Sequence, residues 1–241
     1  SAVEKNHKKS WWKKYFLSMY YYFDSSRHIL LNNLEPLNLL NISHKKTQEP
    51  IKISAEAHTK VNSMLNKKGI KKYIIFHPSA QYLYKIYPKH LRNKFLFLLN
   101  SLDVPILITG TNNQIDLNIK NALPSLPNIY DFIGETTLQE YIALSKSALA
   151  YIGMDTLNMH IAASQSKRIF AIYGPTNLSM WSPWSNSLKT GTFLEFAAAN
   201  AFLPITISFL WDSSNSNHCF ESNKALISLL FNAPHKPLSD E

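Results

Sequence analysis

The residues best placed to do chemistry follow an apolar run, Ala148-Leu149-Ala150-Tyr151-Ile152, and read Gly153-Met154-Asp155-Thr156-Leu157-Asn158-Met159-His160. A carboxylate, a hydroxyl, an amide and an imidazole thus come directly after a strand-like segment, ahead of an apolar helical pattern from Ile161. Open parallel sheets bind ligands where strand carboxyl ends feed helix amino ends. The free N–H groups there favour an anion such as phosphate. A purely local purpose would use the same residues differently, with Asp155 and Thr156 capping the helix and His160 bonding within its own turn. The surrounding sequence has to decide.

Similar polar groups recur after successive apolar runs. They are His77-Pro78-Ser79-Ala80 with Lys85 and Tyr87-Pro88 beyond, Thr109-Gly110-Thr111, Gly134-Glu135-Thr136-Thr137, Asp155-Thr156 and Gly174-Pro175-Thr176. A parallel sheet gathers the carboxyl ends of its strands along one edge, so these groups are expected in one crevice. Ser79, Thr109 and Thr111 would donate to phosphate oxygens, and Lys85 would bring a mobile positive charge suited to a diphosphate. Asp155 would orient His160 or hold a sugar hydroxyl. A single hydroxyl after a strand is often only a cap; the recurrence is what argues for a ligand.

The elements that must position these residues read as alternating strands and helices. Helices are expected over 54–68, 88–101, 137–147 and 158–165, with a polar one carrying Ile115, Leu117 and Ile119. Strands are expected at 73–76, 105–110, 129–134, 148–152 and 168–173. Short strands between helices of about ten to fourteen residues imply βαβ units and an α/β fold with a Rossmann-like parallel sheet. The strands are apolar throughout rather than alternating, as when helices cover both faces. Beyond residue 176 the pattern weakens until Glu221–Phe231 suggests a final helix.

Composition excludes several classes. The chain has 241 residues, 45% of them hydrophobic and 17% charged, enough to bury a core. Its formal charge of +9 implies an anionic partner. Cys219 is the only cysteine, which removes internal disulfides and cysteine metal clusters, and no metal site is expected. Neither a dinucleotide Gly-x-Gly-x-x-Gly nor a phosphate-wrapping Gly-x-x-x-x-Gly-Lys-Ser/Thr occurs among its six glycines. Phosphate would therefore be held by helix amino ends, hydroxyls and lysine. The most apolar long segment, 192–211, contains Glu195 and Asn200 and is broken by Pro204, so it reads as core or interface. With mostly polar residues at the start, the expectation is a cytoplasmic protein, and the Asn41 and Asn177 glycosylation patterns read as chance matches.

The first 24 residues differ from the rest. Lys5, Lys8, Lys9, Lys13 and Lys14 surround Trp11, Trp12, Tyr15 and Phe16, followed by Tyr20, Tyr21, Tyr22 and Phe23. Lysine mixed with aromatics suits peripheral contact with an anionic membrane, or a helix packed on its own protein. It is not a nucleic-acid module, and no nucleic-acid partner is expected. The stretch 35–55, with Pro36 and Pro50, reads as a linker, so residues 1–52 form a basic aromatic helical segment plus linker ahead of a domain over 53–241.

The runs His77-Pro78-Ser79-Ala80, Lys85-Ile86-Tyr87-Pro88, Leu107–Gly110, Ile133-Gly134-Glu135-Thr136-Thr137-Leu138, Ile152–Thr156 with Met159-His160-Ile161-Ala162-Ala163, Tyr173–Thr176 and Trp181-Ser182-Pro183 match a known pattern in order and spacing. Across about residues 70–184 the chain resembles the heptosyltransferase-like glycosyltransferases of lipopolysaccharide core assembly, glycosyltransferase family 9. The resemblance implies a GT-B architecture whose carboxyl-terminal Rossmann-like domain holds a nucleotide-activated sugar, usually ADP-heptose. It implies inverting, metal-independent transfer onto a lipid-anchored saccharide at the cytoplasmic face of a bacterial inner membrane, with a sugar nucleotide as donor and no separate cofactor.

By position, the resemblance gives Lys85 and Ser79 to the donor phosphates. Glu135-Thr136-Thr137 fall to the nucleoside, and Asp155 with Thr156 to the sugar and phosphate. Asn158 and His160 lie within the donor loop. Lys85 and Asp155 are the two positions assigned to catalysis. Two departures stand out. Leu157-Asn158 replaces the small residue that lets phosphate approach the backbone. No Gly-Asp loop near a first strand, which in the family supplies the acidic base, occurs before residue 70. Two readings follow: a heptosyltransferase-like enzyme or its donor-binding portion, and a catalytically degenerate domain acting as a scaffold at the membrane.

Overall fold

A computed structural model describes residues 2–4, 11–44, 51–173 and 176–184. The chain opens with β1 (Ala2–Glu4), the single-turn α1 (Lys13–Phe16) and β2 (Tyr21–Phe23). β1 and β2 pair in parallel, from Ala2 opposite Tyr21 to Glu4 opposite Phe23. The segment expected to be helical thus holds a short strand pair beside its helical turns. The run Tyr20–Phe23 has the aromatic composition that favours a pleated strand, and Trp12 opens α1 without a side-chain cap.

The first residues of the stretch read as a linker are helical. Helix α2 (Ile29–Leu39) occupies the start of the 35–55 stretch, with Pro36 inside it. Its supports are tertiary and leave no periodic signature. His28 caps it by accepting from the Leu30 amide. Buried Asn32 accepts from the Asp24 amide and donates to the carbonyls of Asp24 and Arg27, closing the loop before the helix.

The remaining elements follow the alternating pattern. They are α3 (Ala55–Lys67), β3 (Ile74–His77), α4 (Lys89–Asn100), β4 (Ile106–Gly110), α5 (Gln114–Lys120), β5 (Ile129–Ile133), α6 (Leu138–Ser147), β6 (Ala150–Met154), α7 (Leu157–Ser164), β7 (Arg168–Ile172) and α8 (Leu178–Trp181). Strands β3 to β7 form one five-stranded parallel sheet in the order β5-β4-β3-β6-β7. The expected helix at Glu221–Phe231, and the domain's extension to 241, lie outside the described residues.

Alternation along each strand divides the core in two. Ile75, Leu107, Phe132, Tyr151 and Ile169 face α3, α6 and α7. Ile74, Phe76, Ile106, Ile108, Ile133 and Ile152 face α4 and α5. The central side chains are wholly buried, and each removes enough apolar surface from water to contribute on the order of 2 kcal/mol. Helix α6 is closed at both ends: Thr137 and Glu140 form a capping box, and Lys167 donates to the carbonyls of Lys146 and Ala148 beyond its last turn.

Strand β6 runs to Met154 rather than ending at Ile152, so Gly153 lies within the sheet, opposite His77 on β3. A Cβ on Gly153 would meet the His77 carbonyl oxygen at 2.5 Å and the Tyr151 hydroxyl at 2.7 Å. The central strands can therefore come together at this point only around glycine. Gly153→Ala should lower stability by about 1–3 kcal/mol, as overpacking of a tight core does, measurable as a shift in the urea midpoint at unchanged slope.

Candidate functional site

From β3 the chain moves outward to β4 and β5, then returns to the other side of β3 with β6 and β7. The carboxyl ends of β3 and β6 therefore flank the topological switch point, where an open α/β sheet leaves a crevice. The segment after β3 enters a 3₁₀ turn, Leu83–Lys85, and the segment after β6 begins with Asp155. Lys85 Nζ lies 3.4 Å from Asp155 Oδ2 across this crevice, with side chains 22% and 9% exposed. A tight ammonium–carboxylate bond spans about 2.7–2.9 Å. The pair is loose, and an anionic ligand can compete for the lysine.

Around this contact the structure gathers several of the predicted residues. Thr156 begins α7 without making a side-chain cap. Its buried Oγ1 lies beside the Tyr151 phenol and makes no hydrogen bond of ordinary geometry, and neither does the Thr176 hydroxyl. The amides of Leu157 and Asn158 open the helix and have no intrahelical acceptor. Leu157 is 62% exposed, so it lines the opening rather than the core. The Asn158 side-chain Nδ2 lies 3.0 Å from His77 Nδ1, tying α7 to the end of β3. His160 is half-buried, in the electrostatic field of both Asp155 and His28.

Other predicted residues are engaged elsewhere. Ser79 donates to Asp116 Oδ1. The Thr111 amide and hydroxyl donate to Asp116 Oδ2 at 2.5 and 2.9 Å. Thr109 is buried, its hydroxyl 3.2 Å from His77 Nδ1. Ser79, Thr109 and Thr111, expected to donate to phosphate oxygens, thus have partners within the protein. Ser79 and Thr111 donate to one buried carboxylate, and the Thr109 hydroxyl is buried beside His77. Thr137 caps α6 with Glu140, whose carboxylate also pairs with Lys60 at 2.6 Å. Glu135 and Thr136 remain on an outward turn after Gly134, which holds φ at +78°.

Asp116 is the residue that the sequence reading missed. It is 2% exposed, on the first turn of α5, and it joins the loops after β3 and β4. A signal was present in Asn113-Gln114-Ile115-Asp116, a capping residue followed three positions later by an acid that reaches back. Asn113 does cap the helix, accepting from the Asp116 amide at 2.9 Å.

Burial dominates the electrostatics. His77 is pushed down to about 4 by desolvation, against the opposing pull of Asp116 and a hydrogen bond with Thr109. His160 is lowered chiefly by burial and further by His28, while Asp155 opposes the shift. An unfolded histidine titrates near 6.5, so between about 6.5 and 4 the unfolded chain takes a proton that folded His77 refuses. This contribution to stability is complete above that window and is lost as pH falls through it. From pH 7 to 4.5 it should amount to about 2–3 kcal/mol. Urea unfolding of the wild type and of His77→Gln at both pH values should show a shallower acid loss in the variant.

A parallel sheet in this order, with a crevice at its switch point, places the chain in the doubly wound, Rossmann-like class of α/β proteins. The particular family follows from comparison. The family model for glycosyltransferase family 9 (heptosyltransferase) matches residues 11–201, and the chain belongs to that family. Lipopolysaccharide heptosyltransferase 3 of Escherichia coli (strain K12) is 24% identical over 208 residues, covering 84% of this chain and 56% of that protein. A second Escherichia coli protein of the same name is 22% identical over 165 residues, covering 67% of this chain and 48% of its own length. The chain thus spans about half the length of these relatives. Among solved structures, a family 9 glycosyl transferase from Veillonella parvula superposes with a TM-score of 0.68 at 18% identity, over 91% of this chain and 65% of that one. E. coli ADP-heptose lps heptosyltransferase II gives a TM-score of 0.63 at 15% identity, over 92% and 68%. At these identities the superpositions establish the fold.

Proposed function

We propose that the chain binds a nucleotide-diphosphate sugar, with ADP-heptose favoured, and serves inverting, metal-independent transfer of that sugar to a lipopolysaccharide or lipooligosaccharide core acceptor. The observation that carries this reading is the loose Lys85–Asp155 pair across the switch point of a family 9 chain. The diphosphate would take the lysine and the amides that open α7, with Thr156 at the head of that helix. Asp155 would turn to a sugar hydroxyl, and Glu135 and Thr136 would face the nucleoside. In the reaction the acceptor hydroxyl gives up its proton to a general base as its oxygen attacks the anomeric carbon and the bond to the diphosphate oxygen breaks. Negative charge grows on the leaving phosphate, where Lys85 and the helix amides stabilise it.

A second reading, a donor-fold domain acting as a scaffold without turnover, is favoured by one observation. Ser79, Thr111 and Thr137 are occupied within the protein, which leaves few side-chain donors for a ligand. Turnover assays with ADP- and UDP-sugars separate the two, since the scaffold transfers none. Replacing Lys85 with Ala should weaken ADP binding by about 1.5–3 kcal/mol, the value of a hydrogen bond to a charged group. Thermal unfolding should stay within about 0.5 kcal/mol, because the residue lies in a partly exposed turn. Equal ADP affinity in the two proteins, by titration calorimetry, would remove Lys85 from the site.

The proposed acceptor is lipid-anchored, and the amino-terminal aromatics suit a place on an anionic surface at the cytoplasmic face of a bacterial inner membrane. Trp11 packs edge-on against Tyr15 and Trp12 against Phe16, one turn apart, and all four stay exposed. No described helix is long and apolar enough to cross a membrane. The protein should sediment with anionic vesicles and much less with neutral ones, and salt should release it. Sedimentation unaffected by neutralising Lys8, Lys9, Lys13 and Lys14 would rule this surface out.

A further inference from the structure

The turn that carries Lys85 has a second feature that phosphate binding leaves unused. Tyr82, Leu83 and Tyr84 are 51%, 74% and 62% exposed. The rings of Tyr82 and Tyr84 stack with centroids 5.5 Å apart and planes 18° from parallel. Three large apolar side chains in a row are thus held at the crevice mouth without being buried. The ring-on-ring contact also sets the orientation of both tyrosines before any ligand arrives. Exposed Leu157 follows Asp155 by two residues on the α7 side of the ion pair, and Lys89 and His90 stand exposed just past the turn.

We infer that Tyr82 and Tyr84 form a stacking ledge for a pyranose ring of an acidic saccharide acceptor. The inference rests on the glycosyl-transfer reading above and adds the acceptor's place to it. The apolar C–H face of a pyranose packs on an aromatic ring, while hydroxyls around its edge reach the phenols; a tyrosine offers both an apolar body and a polar tip. Position selects the saccharide over a nucleobase. Tyr84 directly precedes the lysine assigned to the diphosphate, and the groups next to a diphosphate in a sugar nucleotide are sugars, whereas the base lies a ribose further away. An acceptor must also reach the carbon bonded to the distal phosphate, so its ring has to lie beside this turn. The lysine and histidine beyond the ledge complement phosphate or carboxylate groups on such a saccharide.

The experiment titrates two probes, ADP and a phosphorylated inner-core oligosaccharide freed of its acyl chains, into three proteins. These are the wild type, the double variant Tyr82→Ala/Tyr84→Ala and the double variant Tyr82→Phe/Tyr84→Phe, each checked for an unchanged thermal midpoint. The alanine pair should weaken oligosaccharide binding roughly tenfold or more and leave ADP within about twofold, while the phenylalanine pair retains most of the affinity because stacking survives. Unchanged oligosaccharide affinity in the alanine pair would overturn the ledge, as would a wild type that binds ADP but no oligosaccharide. A loss confined to ADP would reassign the rings to the nucleobase. A wild type that binds the oligosaccharide through the tyrosines but not ADP would sink the donor reading and leave the ledge standing.

Discussion

The approach of β3 to β6 at His77 and Gly153 is the constraint on which the site depends. Any side chain at 153 would meet the His77 carbonyl at contact shorter than atoms allow. With glycine there, the two strands stay paired to their last residues, and the loops leaving them start side by side. Lys85 and Asp155, 70 positions apart in sequence, face each other for that reason. The same junction also fixes its own surroundings. His77 is buried between Thr109 and Asn158, so the end of β3 is bonded both to the neighbouring strand β4 and to the helix after β6.

Much of this architecture was legible in the sequence, because a parallel sheet covered on both faces writes its strands as uniform apolar runs. Every strand from β3 to β7 and every helix from α3 to α7 falls within a few residues of its expected place. The amino-terminal elements were not legible. β1 and β2 are three residues each, and α2 depends on His28 and Asn32 gripping loop backbone, which no periodicity records. The lysine and aromatic content of that segment carried no sign of its strands.

At the site, residue type was a better guide than residue role. Hydroxyls do follow the strands as expected, but those of Ser79 and Thr111 converge on Asp116, which was read as one polar residue in a polar helix. A buried carboxylate surrounded by donors is a structural solution to burial. Its effect on the site is indirect: Asp116 ties the start of the Lys85 loop to the loop after β4. The groups at the crevice that are not tied up in this way are the opening amides of α7 and the loosely paired lysine.

The contacts between the amino-terminal segment and the end of the described chain bear on how the protein is made. Asn177 donates to the Ser25 carbonyl, His28 Nε2 lies 2.7 Å from the Ser182 carbonyl, and the His28 ring packs on Trp184 at 4.8 Å. These partners are 152 and 154 residues apart. During synthesis at about 5–20 residues per second, residues 24–32 emerge and wait roughly 8–30 s for the residues they dock on. Strands β3 to β7, whose widest pairing, β3 with β6, joins residues half as far apart, can begin to assemble within that interval. The segment that bears Ser25 and His28 is therefore made well before the residues it docks on, which gives chaperones or a membrane surface a window in which to meet it.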